Sequence, residues 1–284
     1  VEEILGVGGA AFVYRAVLAE PALAGQDADR QSVVALKVLK PEVVQQPNVV
    51  ASFQYENRVL SRLDHPSIVR VHGTGAEGEI VYAIMDLIEG RDFDRFLSKQ
   101  TKPLKQDAAV DFAIQIASAL DHLHGRGYVH RDVKPANLLL PDSGQLVLMD
   151  FGTVVKAGTT IDYESGVYGT TAYLSPEQVM KHPQLDGRAD LYALGIMLYR
   201  MVAGQRPFRG TVEDVLDSHV GREPVPPSKH GRVSPALETV ILKALEKDPD
   251  ERWQTGAEMV DALRGVAEDA PPPSAVGRLF GRRR

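Results

Sequence analysis

His130-Arg131-Asp132-Val133-Lys134-Pro135-Ala136-Asn137, followed downstream by Asp150-Phe151-Gly152, is the stretch on which the reading of this 284-residue chain turns. It concentrates charged and amide side chains in a segment framed by apolar runs. Upstream, Asp107–His124 has Val110, Ile114, Ala117, Leu120 and His124 near one face, which predicts an amphipathic helix closed by Gly125 and Gly127. Leu138–Leu140 and Leu146–Met149 read as short strands. Farther on, Gly152–Tyr173 is rich in glycine, threonine and tyrosine. Ala189–Ala203 is apolar enough for a buried helix, and Pro235–Glu246 and Thr255–Gly265 are two further helices.

Before Gly90 the pattern is different. Val1–Val7, Ala11–Leu18 and Ser32–Leu39 read as strands, with Ala19–Gln31 a long exposed hairpin loop between the last two. Val49–Leu63 reads as a helix with an apolar stripe of Val50, Phe53, Tyr55, Val59, Leu60 and Leu63, stopped by Pro66. Ile68–Gly73 and Ile80–Ile88 complete a small, mostly β unit. The turn Gly6-Val7-Gly8-Gly9-Ala10-Ala11, taken alone, reads as a glycine hairpin more readily than as a place where backbone N–H groups approach a phosphate. A dinucleotide fold needs a helix directly after it, but Phe12–Val17 is extended; a Walker loop needs Gly-Lys-Ser/Thr, which is absent. Lys37 sits among Val33, Val34, Leu36 and Val38, costly if buried without an anion, and Glu56 offers a carboxylate.

Composition narrows the classes. Apolar residues make up 44% and charged residues 25%, the ordinary globular balance. The absence of cysteine excludes a disulfide scaffold, a thiolate metal site and cysteine catalysis. A net charge of −6 gives no general reason to expect nucleic acid as a partner. His122 and His124 are two apart on a helix and point away from each other, so they make a poor metal pair.

With the central stretch, the ordered set of Gly-rich loop, Lys37, Glu56, His-Arg-Asp, Asp-Phe-Gly, Ser175-Pro176-Glu177, Asp190 and Arg252 resembles the serine/threonine protein kinases along nearly the whole chain. The wording Gly169-Thr170-Thr171-Ala172-Tyr173-Leu174-Ser175-Pro176-Glu177-Gln178 is similar to the bacterial, eukaryotic-like (Hanks-type) branch. The resemblance implies an α+β, two-lobed fold: a small antiparallel N-lobe with one main helix over residues 1–88, a mainly helical C-lobe over 89–265, and a Pro-rich linker with an Arg-rich tail over 266–284. It implies transfer of the γ-phosphate of Mg·ATP, with Mn²⁺ as the alternative cation, to protein hydroxyls. By it, Asp132 handles the proton of the acceptor hydroxyl and Lys134 stabilises the transferring group. Lys37, oriented by Glu56, holds phosphates under Gly6 and Gly8, and Asn137 and Asp150 bind metal. Adenine lies among Val13, Ala35, Leu139 and gatekeeper Met85, bonded to the backbone of Asp86–Ile88. Leu60, His130 and Phe151 stack, Glu177 pairs with Arg252, Asp190 anchors the catalytic loop, and Thr170 bonds near Asp132 and Lys134. Neither Lys37 nor Asp150 is expected to carry fold stability. The third loop glycine is replaced by Ala11. The alternative function is an ATP-binding pseudokinase scaffold; such proteins usually lack one of the lysine, catalytic-aspartate or metal-aspartate positions, and here Lys37, Asp132, Asn137 and Asp150 are all present.

In this family an arginine at the position of Arg131 marks control by a negative group on the activation segment. Thr159, Thr160, Ser165 and Thr171 are the expected phosphorylation sites, with Asp162 and Glu164 as fixed negative charges beside them. Pairing of two copies for autophosphorylation follows from the same expectation. Pro271–Pro273 reads as an extended linker, and Arg278, Arg282, Arg283 and Arg284 as a basic cluster. That cluster suits the cytoplasm, or the cytoplasmic face of a membrane reached through a segment outside this chain.

Overall fold

A computed structural model describes residues 1–18, 33–161 and 170–268. The expected hairpin loop, Ser165, Asp162, Glu164 and the arginine tail lie outside the described residues. The chain divides into two compact units, the first Val1–Glu89 and the second beginning at Gly90.

The first unit is a five-stranded antiparallel sheet in the order β1-β2-β3-β5-β4, built from β1 (Glu3–Val7), β2 (Ala11–Val17), β3 (Val33–Leu39), β4 (Val71–Glu77) and β5 (Ile80–Asp86). A short helix, α1 (Pro41–Val44), precedes α2 (Pro47–Leu60), and each has proline in its first turn, where the missing N–H costs nothing. Helix α2 therefore starts and ends earlier than its apolar pattern predicts. Its buried face is Phe53, Glu56, Asn57, Val59 and Leu60, while Tyr55 is exposed. Tyr55 is two positions from Phe53 and so falls on nearly the opposite side of a 3.6-residue helix, and polar Glu56 and Asn57 take the inward places. The expected strand at Ile68 begins only at Val71; Ile68, a lone bridge residue, and Val69 are buried just before it.

The second unit is mainly helical. Gly90–Asp92 (β6) pairs with Leu138–Pro141 (β8), which pairs with Val147–Leu148 (β9). Tyr128–Val129 (β7) pairs with Val155–Lys156 (β10). Around these ladders lie α3 (Phe93–Ser98), α4 (Gln106–His124), α5 (Pro176–Val179), α6 (Gly187–Ala203), α7 (Val212–Gly221), α8 (Pro235–Ala244) and α9 (Gly256–Glu268). Helix α6 is buried nearly all round, from Ala189 to Ala203, as a central core helix must be. Gly195 lets it approach α8: a Cβ there would meet the Cβ of Ala244 at 2.8 Å. It is capped by Asp186, whose carboxylate accepts the N–H of Arg188 at 2.9 Å. Helix α9 runs to Glu268, past the point where the linker was expected to begin.

Candidate active site

In the second unit the loop from Val129 to Leu138 is held by one buried carboxylate. Asp190, on the first turn of α6, accepts the N–H of His130 and of Arg131, each at 2.8 Å, and lies 2.8 Å from His124 Nε2. Burial pushes the Asp190 carboxyl up, but the bond from His124 and the charges and N–H groups around it win, and it stays below the usual carboxylate range. The clamp has a job to do. Arg131 has φ +71°, a left-handed conformation that strains a residue with a Cβ by about 1–3 kcal/mol and persists only when its surroundings hold it. Gln178 adds a third restraint by donating to the Arg131 carbonyl at 2.9 Å.

The kink at Arg131 sets out the next residues. Lys134 Nζ lies 2.6 Å from Asp132 Oδ2. Asn137 Nδ2 donates to the Asp132 carbonyl at 2.8 Å and to Oδ2 at 3.1 Å. Thr170 N–H donates to Oδ1 at 3.2 Å. So Asp132, Lys134, Asn137 and Thr170 form one connected group. Asn137 is tied to the next strand, because its carbonyl accepts the N–H of Met149 at 2.9 Å, immediately before Asp150. Asp150 is exposed, and its Oδ1 takes the Gly152 N–H at 3.0 Å.

Behind the loop, the rings of His130 and Phe151 meet edge to face at 4.9 Å, both fully buried. His130 Nδ1 accepts from Asp132 N–H at 3.3 Å, and burial pushes the imidazole below its usual range, so it is neutral. Thr153 bridges back, its hydroxyl donating to the His130 carbonyl at 2.8 Å and its own carbonyl accepting from Arg131 Nε at 2.6 Å. Thr153 did not stand out in the sequence, because a side chain that bonds only backbone leaves no charge or spacing signal; Gln178 carries one, since Ser175 and Gln178 form a capping box at the start of α5.

Farther from the loop, Arg252 reaches Glu177 through both arms at 2.8 Å. It also donates to the carbonyls of Glu246, Arg188 and Lys247 and lies 4.9 Å from the Tyr192 ring centroid. Thr159 and Thr160 are exposed, while Thr171 is half-buried at the start of a single turn of helix. Leu139 is half-buried on β8. Near Thr171, His219 is fully buried with Nδ1 2.9 Å from the Tyr192 hydroxyl. Burial, with help from Lys247, pushes it down to about 4.

In the first unit, Lys37 on β3 stands opposite Val13 on β2 and Ala83 on β5, and its Nζ lies 2.7 Å from Glu56 Oε1 on α2. Glu56 is 6% exposed. A carboxylate this buried needs its cation, so Lys37 carries stability as well as position, contrary to the expectation from sequence. Ala35 and Met85 are buried cross-strand partners, and Leu60 is buried on α2. Asp86 lies 2.6 Å from His72 Nε2, and its N–H bonds the Arg70 carbonyl. Ile88 follows β5 and is half-buried. Ala11 is buried on β2 and accepts the Gly8 N–H at 2.9 Å, so the alanine replacing the third glycine belongs to the strand. A Cβ at Gly6 or Gly9 would meet nothing within 4 Å, and neither has positive φ. The fold itself does not demand glycine at either place.

The protein kinase domain family model matches residues 1–262. Serine/threonine-protein kinase PknB of Mycolicibacterium smegmatis is 36% identical over 282 residues, covering 95% of this chain and 43% of that protein. Serine/threonine-protein kinase PkaA of Streptomyces coelicolor is 42% identical over 279 residues, covering 94% of this chain and 49% of that protein. A probable serine/threonine-protein kinase of Clostridium acetobutylicum is 35% identical over 270 residues, covering 94% and 39%. The chain thus spans less than half the length of these curated relatives. A match along nearly the whole chain, with the backbone of the His-Arg-Asp segment held by the buried Asp190 and Phe151 of Asp-Phe-Gly packed on His130, establishes that this chain belongs to the protein kinase domain family.

Proposed function

We propose that the chain transfers the γ-phosphate of ATP to serine or threonine hydroxyls of proteins. The observation that carries this is the Asp132 carboxylate, joined at once to an ammonium, an amide and the N–H of Thr170. The acceptor hydroxyl gives its proton to Asp132 as its oxygen attacks the γ-phosphorus. The bond to the β–γ bridging oxygen breaks, and ADP leaves with that oxygen. Lys134 neutralises charge on the group in transit, and Thr170 helps fix the carboxylate that receives the proton. In the first unit Lys37, steadied by Glu56, takes the role of binding the α- and β-phosphates under Gly6 and Gly8, and the open space at Gly6 and at neighbouring Gly9 suits backbone approach to phosphate oxygens. Val13, Ala35, Met85 and the backbone of Asp86 to Ile88, with Leu139, are assigned to adenine.

The donors fit a hard cation. The Asn137 amide N–H is spent on Asp132, which leaves its carbonyl oxygen as the outward end, and Asp150 has one carboxylate oxygen beyond its bond to Gly152. Mg²⁺, or Mn²⁺ in its place, takes one or two protein oxygens and completes its shell with phosphate and water. When bound there it offsets the negative charge of the phosphates.

Thr159, Thr160 and Thr171 remain proposed autophosphorylation sites among the described residues, with pairing of two copies as the means. A cytoplasmic setting goes with this reading. Among the described residues no helix is long and apolar enough to cross a membrane. The test is transfer from γ-labelled ATP to a serine- and threonine-containing protein such as casein. Asp132→Asn is expected to lower the rate by about 10²–10⁴-fold with ATP still bound. An unsubstituted chain that binds ATP and transfers nothing would make it a scaffold instead.

A further inference from the structure

The second unit contains a cavity of about 570 Å³ whose wall includes Asp94, Lys134, Thr170, Arg200, Arg206 and Arg209. Its cations divide into two kinds. Lys134 is committed to Asp132 at 2.6 Å. Arg200 is committed to Asp94 at 2.5 Å and also donates to the Tyr173 hydroxyl at 2.9 Å. Among the described residues Asp94 is the only carboxylate on this wall, and Arg200 holds it. Arg206 and Arg209 are exposed, and neither has a carboxylate partner among the described residues; Arg209 donates only to the Gln205 amide oxygen, at 2.6 Å. Two guanidinium groups with no ion-pair partner among the described residues therefore share a wall with the residues bonded to Asp132.

Exposed arginines alone are ordinary. These differ in position, because Lys134 and Thr170 belong to both the cavity and the Asp132 group. A sphere of this volume is about 10 Å across, and an extended chain advances about 3.3 Å per residue, so the cavity spans about three residues. We propose that this cavity makes the chain selective for protein substrates carrying an aspartate or glutamate within about three residues of the acceptor hydroxyl, held by Arg206 and Arg209. The inference rests on the phosphotransferase reading above. An anionic side chain is the chemistry required, and guanidinium groups take carboxylate and phosphate alike. A serine already phosphorylated at the same place is the other source of that charge.

The test uses peptides with one acceptor serine and, at each position up to three residues on either side, alanine, aspartate, lysine or phosphoserine. At one position aspartate is expected to raise kcat/KM over alanine by roughly 3–10-fold, mainly through KM, as for a partly solvated charge pair. Arg206→Glu with Arg209→Glu should reverse the order, so that lysine is favoured over aspartate there. Both positions are exposed, so the fold tolerates the change. Indifference of the unsubstituted chain to aspartate, or an acidic preference that survives the double reversal, overturns the inference while leaving phosphate transfer intact. A preference confined to phosphoserine overturns the carboxylate assignment. Failure to phosphorylate any peptide or protein refutes the phosphotransferase reading, and this inference with it.

Discussion

Arg252→Met and Glu177→Gln, singly and together, test the buried ion pair of the second unit. The Arg252 side chain is fully buried and that of Glu177 is 12% exposed, so neither charge has much recourse to water. Losing one partner of such a pair costs about 3–5 kcal/mol. The two singles should not cost the same. With Glu177→Gln, Arg252 keeps three carbonyls and the face of Tyr192, which places that variant at the low end. With Arg252→Met, a carboxylate and three carbonyls lose their donor together, which places it at the high end. For a unit of this size that corresponds to a fall in Tm of roughly 6–20 °C. Trp253 adjoins Arg252 and is the sole tryptophan, and its indole N–H bonds the Val240 carbonyl at 3.1 Å. Its fluorescence during urea unfolding therefore reports this region without a label. The double variant should recover at least about 1.5 kcal/mol relative to the sum of the singles, because methionine leaves no buried cation to strand. A cost below about 1 kcal/mol for Arg252→Met, or singles that add within about 0.5 kcal/mol, would refute the reasoning.

Lys37→Met should abolish phosphate transfer and also lower the stability of the first unit by about 1–3 kcal/mol, read by thermal denaturation, since buried Glu56 loses its cation. Asp190→Asn should cut activity at least about 10²-fold and speed hydrogen exchange at His130 and Arg131, because an amide cannot accept from every donor now pointing at that carboxylate; unchanged exchange would count against the clamp. His219 has its folded-state pKa depressed from 6.5 to about 4, so its contribution to stability is present above pH 6.5 and is lost as pH falls toward 4. About 2 kcal/mol should be gone by pH 5, and His219→Phe should remove that part of the decline; parallel pH profiles for the two proteins would sink the assignment.

The sequence showed more of the loop than of its supports. Asp132, Lys134, Asn137 and Asp150 lie in short, dense motifs, and the chain folds each motif on itself, so linear order already carries their neighbourhood. Asp190 could be placed through the family resemblance, but its bond to His124 spans 66 positions and nothing local announces it. Helices α3 and α7 went unread although their caps were visible. Asp92 accepts the Arg95 N–H, and Thr211 and Asp214 form a capping box. Helix α3 is too short for a periodic apolar pattern to stand out, whereas α7, as long as α8, carries Val212, Val215, Leu216 and Val220 at helical spacing and was legible. Tyr55 misled for a related reason: counting apolar residues says little about facing when the inward places are held by Glu56 and Asn57. His219 and the Arg206–Arg209 pair were silent because a lone polar residue acquires meaning only from what the fold brings beside it.

The left-handed backbone at Arg131 also limits which descendants of this sequence are accessible. Glycine relieves the strain there most fully and Asn or Asp in part, but each would remove the guanidinium. Any other substitution at 131 leaves the turn just as dependent on the carboxylate at 190, and a substitution at 190 releases a turn that nothing else holds as firmly. Neither position has a neutral first step. A lineage that gave up phosphate transfer could shed Asp132 or Asp150 by single changes and keep its fold, while positions 131 and 190 would change last, bound by backbone geometry long after the chemistry had ceased to matter.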